Sequence, residues 1–101
     1  MFRCTNNGTL IDFNGKRLQF IVANSTYSDW ENTSAVGSGC MIFKQQTVSV
    51  SSTEVVFPIA GAETETLVEK KYRWRIKIQT MSGATVVSED RTPIYDLIVE
   101  D

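Results

Sequence analysis

Lys70-Lys71-Tyr72-Arg73-Trp74-Arg75-Ile76-Lys77-Ile78-Gln79 is the stretch that decides the fold class. Its side chains alternate: Tyr72, Trp74, Ile76 and Ile78 fall on one side, Lys71, Arg73, Arg75 and Lys77 on the other. A strand sends successive side chains to opposite faces, so this segment reads as a half-buried β-strand with one apolar and one cationic face. A helix would scatter the four cations around its circumference. The pattern implies antiparallel sheet with one wet side. Its register predicts that Trp74, Ile76 and Ile78 are buried and that Arg73, Arg75 and Lys77 are markedly more exposed.

Working outward, Met81-Ser82-Gly83-Ala84 reads as a hairpin turn. Thr85–Arg91 and Pro93–Val99 then complete the sheet as one long strand bent near Thr92-Pro93. Upstream, residues 60–69 break the β pattern, with one helical turn anchored by Leu67 or Val68. Ser38–Lys44, Thr47–Ser51 and Thr53–Ile59 are β-branched runs separated by polar pairs, and Pro58 marks an edge or a strand end. Lys16–Ala23 alternates, with Leu18, Phe20 and Val22 on one face. Before it, Thr9–Phe13 is a candidate short strand, and Asn14-Gly15 is a two-residue hairpin signal of type I′. About seven to eight strands with one short helical turn give an all-β, antiparallel sandwich of the immunoglobulin-like kind, a single domain over residues 1–101.

The composition narrows the chemistry. Hydrophobic residues make up 42% and charged residues 22% of the 101, an ordinary globular balance rather than a disordered one. Net charge is −2, which disfavours nucleic acid as a partner. No stretch approaches the roughly 18 apolar residues of a membrane helix, and Met1–Asn14 lacks the apolar run of a signal peptide, so synthesis in the cytoplasm without membrane insertion is expected. The chain contains no histidine. Ser–His–Asp and Cys–His catalysis are thereby excluded, and no cofactor or metal site is expected from two distant cysteines. Whether Cys4 and Cys40 pair stays open; two free thiols, with Cys40 packed as a small hydrophobe, is the plainer alternative.

Several clusters are candidate sites, each with a structural alternative. Lys71, Arg73, Arg75 and Lys77 would grip phosphates or an acidic partner, or would form a solvated face paired with Glu89, Asp90, Asp96, Glu100 and Asp101. Residues 24–37 form the longest loop, polar except for Tyr27 and Trp30. Those rings are a partner-binding patch, or Trp30 folds back as a lid over the sandwich edge. Glu63, Glu65 and Glu69 lack a calcium-loop pattern and read as a solvated turn. Gly37-Ser38-Gly39 lacks the helix and lysine of a phosphate loop. The sequons at Asn7, Asn24 and Asn32 read as loop residues. Tyr72, at the start of a late strand, has the place of the core tyrosine of immunoglobulin-like sandwiches.

The run Asp12-Phe13-Asn14-Gly15-Lys16-Arg17-Leu18-Gln19-Phe20-Ile21-Val22 resembles the opening of small immunoglobulin-like proteins of tailed phages and prophages, including the N-terminal domain of baseplate upper proteins. So does the block formed by Val55-Val56-Phe57-Pro58-Ile59, the turn ending in Leu67, Lys71–Ile78 and Ser82-Gly83. The resemblance covers about residues 9–100 and departs at the 24–37 loop, which is longer and more aromatic than that pattern. It implies a non-enzymatic virion protein, an adaptor that docks onto tail, baseplate or fibre components. Its partners would be other virion proteins, in a homo-oligomer or a larger assembly. A small phage-encoded inhibitor of a host protein and a carbohydrate-binding module are the alternatives.

Overall fold

The structure, a computed structural model, describes residues 5–6, 9–68 and 71–98. In chain order the elements are β1 (Thr5–Asn6), β2 (Thr9–Leu10), β3 (Lys16–Asn24), a 3₁₀ turn (Trp30–Asn32), β4 (Cys40–Thr47), α1 (Gly61–Thr64), β5 (Lys71–Ser82), β6 (Thr85–Arg91) and β7 (Tyr95–Ile98). β1 and β2 form a small pair. The other five strands make one antiparallel sheet in the order β4-β3-β5, with β6 and β7 following one another along the far edge of β5. The fold is therefore mainly antiparallel β and sandwich-like, with β5 at its centre.

β5 is long because nothing in Lys71–Ser82 interrupts its β-branched and aromatic alternation until Gly83. Gly83, at φ +60°, is the first central residue of a two-residue turn between Ser82 and Thr85, the position that type II′ hairpins reserve for glycine. The bend expected near Thr92-Pro93 is present. Lys77 opposes Arg91 while Trp74 opposes Tyr95, so two residues of β5 face the three residues Thr92, Pro93 and Ile94. Proline has no N–H for the ladder, and a bulge absorbs it. Thr92 repairs the gap: its N–H donates to the Ile76 carbonyl, and its hydroxyl accepts from the Ile76 N–H at 3.0 Å.

On the apolar face Leu18, Phe20 and Val22 of β3 stand opposite Ile78, Ile76 and Trp74 of β5. This face is covered by Ile11, Phe13, Val48, Val55 and Phe57 from irregular chain, and by Leu67 after the helical turn. Phe13, Leu18 and Val22 have at most 1% of their surface exposed. Burying each such side chain stabilises the fold by about 1.5–3 kcal/mol.

Two local expectations are corrected. Thr47–Ser51 and Thr53–Ile59 are not paired strands: past Thr47 the chain is irregular to Ala60, with one bridging residue at Val55. Its apolar residues serve as a cover for the sheet rather than as a ladder. Asn14-Gly15 turns the chain but closes no hairpin. Only Gly15, at φ +79°, enters the left-handed region there, so the turn is not type I′. Residues 11–13 instead run against the 48–57 cover, where the Phe13 N–H donates to the Ser52 carbonyl at 2.8 Å. Asp12 staples that junction, accepting from the N–H of Asn14 (2.9 Å), the N–H of Ser52 (3.0 Å) and the Ser51 hydroxyl (2.8 Å).

Candidate functional site

The cationic face is built by the other half of the same alternation. β3 contributes Arg17, Gln19, Ile21 and Ala23, and β5 contributes Gln79, Lys77, Arg75 and Arg73 opposite them. One end of this face is apolar and the other polar. The apolar end is roofed by the 24–37 segment, which folds back so that Trp30 packs among Ile21, Ala23 and Cys40. Trp30 thus takes the lid alternative: it is 4% exposed, and its indole N–H donates to the Tyr27 carbonyl at 3.0 Å. Tyr27 is half-buried, sits edge-on to Trp30 at 5.3 Å, and shares a hydrogen bond with the Thr33 hydroxyl.

What lets the segment return so tightly is the Ser38-Gly39 turn. Both residues have positive φ (+54° and +102°), and Gly37 and Cys40 exchange two backbone hydrogen bonds at 3.0 Å, a type I′ hairpin end. The positive φ of Gly39 favours glycine, and a Cβ there would lie 3.0–3.1 Å from the Asn24 and Tyr27 side chains, which would have to give way by a few tenths of an ångström. Gly37-Ser38-Gly39 is therefore hinge chemistry for the strap.

Lys77 departs from expectation. Its Cα register is as read from the sequence, yet the residue is only 2% exposed. The strap runs over it, and the ammonium donates to the main-chain carbonyl of Glu31 at 3.0 Å. Burial pushes the Lys77 ammonium below the usual lysine range, against the opposing pull of Glu89. Arg73 and Arg75 are half-buried, Lys71 exposed. Glu31 also clamps Arg91 at 2.8 Å, and Arg91 reaches Glu89 at 2.9 Å. The polar end closes with Arg17 Nε donating to Gln79 at 2.7 Å and Gln79 donating to Glu89 at 2.8 Å. Of the acidic residues expected to pair with the stripe, Asp96 meets Lys71 at 3.5 Å. Glu89 meets Arg91 instead, and Glu100 and Asp101 lie outside the described residues.

A surface that sequence reading missed lies on the opposite face. Phe57, Phe20, Trp74 and Tyr95 form a row of rings crossing the sheet, with centroids 5.6, 5.9 and 4.8 Å apart in turn. The row begins under the cover and ends at Tyr95 on β7, which is 44% exposed. Trp74, expected to be buried, is half-buried: it lies toward the β7 end of the row, where its neighbour Tyr95 is itself exposed. The signal was available in principle: Tyr95 is the one aromatic after the bend. Ile98, 58% exposed, lies further along the same strand but on the cationic face, opposite Lys71. Among the described residues, no strand pairs with the outer edge of β4, β6 or β7.

Other candidates are structural. The Glu63 carboxylate accepts the Ala60 N–H at 3.1 Å and binds Lys44 at 2.6 Å, which holds it below the ordinary carboxylate range, with the Lys44 bond as the larger cause. Glu69 and Cys4 lie outside the described residues. Cys40 is buried and unpaired, and burial raises its thiol pKa. The Asn24 side chain accepts the Thr26 hydroxyl at 3.2 Å within the turn. An open groove of about 270 Å³ runs along Gln46–Val50, Ser52 and Glu54–Val56; among the described residues Glu54 is the one ionisable group lining it. Among the described residues, no group of three or more Cys, Asp or Glu could hold a metal ion. No described helix is long and apolar enough to cross a membrane. No family model, curated protein or solved structure matches the chain.

Proposed function

We propose that this chain is a docking module without catalytic chemistry, an immunoglobulin-like adaptor within a tailed-phage or prophage particle. It would seat on tail, baseplate or fibre components. The observation that carries the reading is the β7 edge. Its outer side has no neighbouring strand among the described residues, and the strand carries the exposed end of the aromatic row at Tyr95 on the apolar face and the exposed Ile98 on the cationic face. Open edges accept a partner strand through main-chain hydrogen bonds, while exposed alternate side chains supply selectivity. Half-exposed aromatic rings on a rigid sheet are the residues that dominate binding energy when a partner covers them. The resemblance of residues 9–100 to phage tail-associated immunoglobulin-like proteins points to the particle as the place of work.

The 24–37 segment is then a built-in roof rather than the anchor, since Trp30 is already committed inside the chain. Mass spectrometry of purified particles tests the setting, and a Tyr95→Ser/Ile98→Ser variant tests the surface. The chain should be present in the particles, and the variant should melt close to the parent yet fail to be incorporated. A chain missing from the particles, or a variant incorporated at the parental level, overturns the reading. Ring rows also suit sugar stacking; glycan-array binding lost on Tyr95→Ser would replace assembly with carbohydrate recognition.

A further inference from the structure

We propose that Arg73 and Arg75 form a contact surface for an extended, carboxylate-bearing segment of a partner protein. The inference rests on the docking reading above and names the partner's chemistry. The β3–β5–β6 register and the strap gather Arg17, Lys71, Arg73, Arg75, Lys77 and Arg91 on one face, six of the ten cations of a chain whose net charge is −2. They meet three carboxylates there: Glu31, Glu89 and Asp96.

Most of these cations are engaged. Lys71 has Asp96, Arg91 has Glu31 and Glu89, Lys77 is sealed beneath the strap, and Arg17 is tied through Gln79 to Glu89 at the polar end. Arg73 and Arg75 remain, two residues apart on one face of β5, and neither is within ion-pair distance of a carboxylate among the described residues.

Both are oriented by neutral groups. Arg73 Nη1 donates to the Ser25 carbonyl at 3.2 Å, and its guanidinium carbon lies 5.8 Å from the centre of the Trp30 ring. Arg75 Nε donates to the Thr92 carbonyl at 3.0 Å. A neutral acceptor fixes a guanidinium without cancelling its charge, and half-buried stems lose little freedom when a ligand arrives. These are preorganised forks with no described carboxylate within ion-pair distance.

Their spacing selects the ligand. Alternate residues of a strand lie about 6.7 Å apart, so acidic residues at every second position of an extended segment match Arg73 and Arg75. The stripe is also one strand in from the open β7 edge, with Arg73 opposite Asp96. Nucleic acid fits less well. The neighbouring Trp30 ring is buried and offers no stacking platform, and the net negative chain repels a long polyanion.

The test uses the chain's own reporter. Trp74→Phe leaves Trp30, beside Arg73, as the only tryptophan. Titration with a (Glu-Thr)₄ peptide at low salt should give a saturable change in Trp30 fluorescence that weakens as salt rises. Calorimetry on the unsubstituted chain should return the same affinity. Arg73→Gln/Arg75→Gln, or Arg75→Gln alone if the double variant melts early, should bind about tenfold more weakly. No saturable binding, or equal affinity in the Gln variants, overturns the proposal. So does tighter binding of a thymidine octanucleotide, or a salt-dependent dimer of the chain alone that the Gln variants abolish. Failure here leaves the particle experiment untouched, whereas absence from particles removes the docking reading whatever the peptide does.

Discussion

The two faces of β5 are made by one strand and yet are finished in different ways. The apolar face is closed by irregular chain at 11–13 and 48–57, whose side chains interlock with Leu18, Ile76 and Ile78, and by Leu67 after the helical turn. The cationic face is closed by a single strap, 24–37, held by one ring and a few polar ties: Trp30, Lys77 to Glu31, Arg91 to Glu31 and Arg73 to Ser25. A closely packed interior resists loss anywhere along it. A strap with a handful of fastenings is a local unit, able to open at a cost below that of global unfolding. The sheet's permanent core and its movable cover are therefore opposite sides of the same residues.

That contrast is most directly broken by deleting one ring from each side. Phe13 is fully buried under the apolar cover, and Phe13→Ala should cost about 3–5 kcal/mol, enough to unfold a domain whose whole stability is on the order of 5–15 kcal/mol. Chemical denaturation measures it, and the midpoint loss should appear equally in all probes. Trp30→Ala should fall at the low end, about 3 kcal/mol, because part of the loss is met by the strap lifting away. Amide exchange should rise first across residues 24–37 while β3 and β5 stay protected. If β3 and β5 lose protection in step with the strap, the two faces are one cooperative unit and the contrast fails.

The alternation of Tyr72 to Gln79 and of Leu18 to Val22 was enough to fix β5, β3 and which residues share a face, because a period of two has no other regular reading. What covers each face was not legible. Val48–Phe57 has strand composition, but composition reports fitness for a half-buried pleat, and these residues satisfy it as a cover with only isolated backbone ties rather than as a ladder. Asn14-Gly15 signalled a turn without saying which segments it would bring together. The burial of Lys77 depends on a loop about forty-five residues upstream, and no local pattern carries that. The exposed end of the aromatic row at Tyr95 follows from the bulge at Thr92–Ile94, which sets where β7 meets β5.

Acid should separate the two covers without any substitution. The hydrogen bonds from Asn14, Ser51 and Ser52 hold Asp12 below its ordinary range, and Arg91 does the same for Glu31. A carboxylate whose pKa is depressed on folding stabilises the fold above the unfolded value, and the effect is lost as pH falls through the folded one. The window therefore lies below about pH 4, where free Asp and Glu titrate. Thermal melts between pH 7 and 2 should fall there. Asp12→Asn should flatten part of the drop with exchange changes confined to 11–14 and 51–52, while Glu31→Gln should do so with changes in the strap. If both variants alter the same amides, the staple and the latch are not independent.

The smallest expected effect sits at the point where strap and sheet meet. Burial disfavours the charged form of Lys77, so its folded pKa lies below the usual value near 10.4. At neutral pH the fold carries the cost of an enclosed ammonium, offset by the Glu31 carbonyl and the nearby Glu89. Between the folded and unfolded pKa values the unfolded chain binds more protons, so this residue should make stability rise with pH on the alkaline side. Lys77→Met keeps the length of the stem and removes the charge, at the expense of one donor to the Glu31 carbonyl. Replacing a buried charge by an apolar group of similar volume is often neutral or stabilising, and here the net change at pH 7 should be within about 1 kcal/mol. Because the buried Cys40 thiol contributes in the opposite sense, the readout is the difference: between pH 7 and 10 the parent's denaturant midpoint should gain on the variant's. In a Trp74→Phe background, Trp30 fluorescence should be the same with Lys77 and with Met at that position if the ring alone holds the strap. If Lys77→Met instead frees the strap, as judged by Trp30 shifting toward a water-exposed spectrum, then the cationic face is fastened by its buried charge rather than by its aromatic lid.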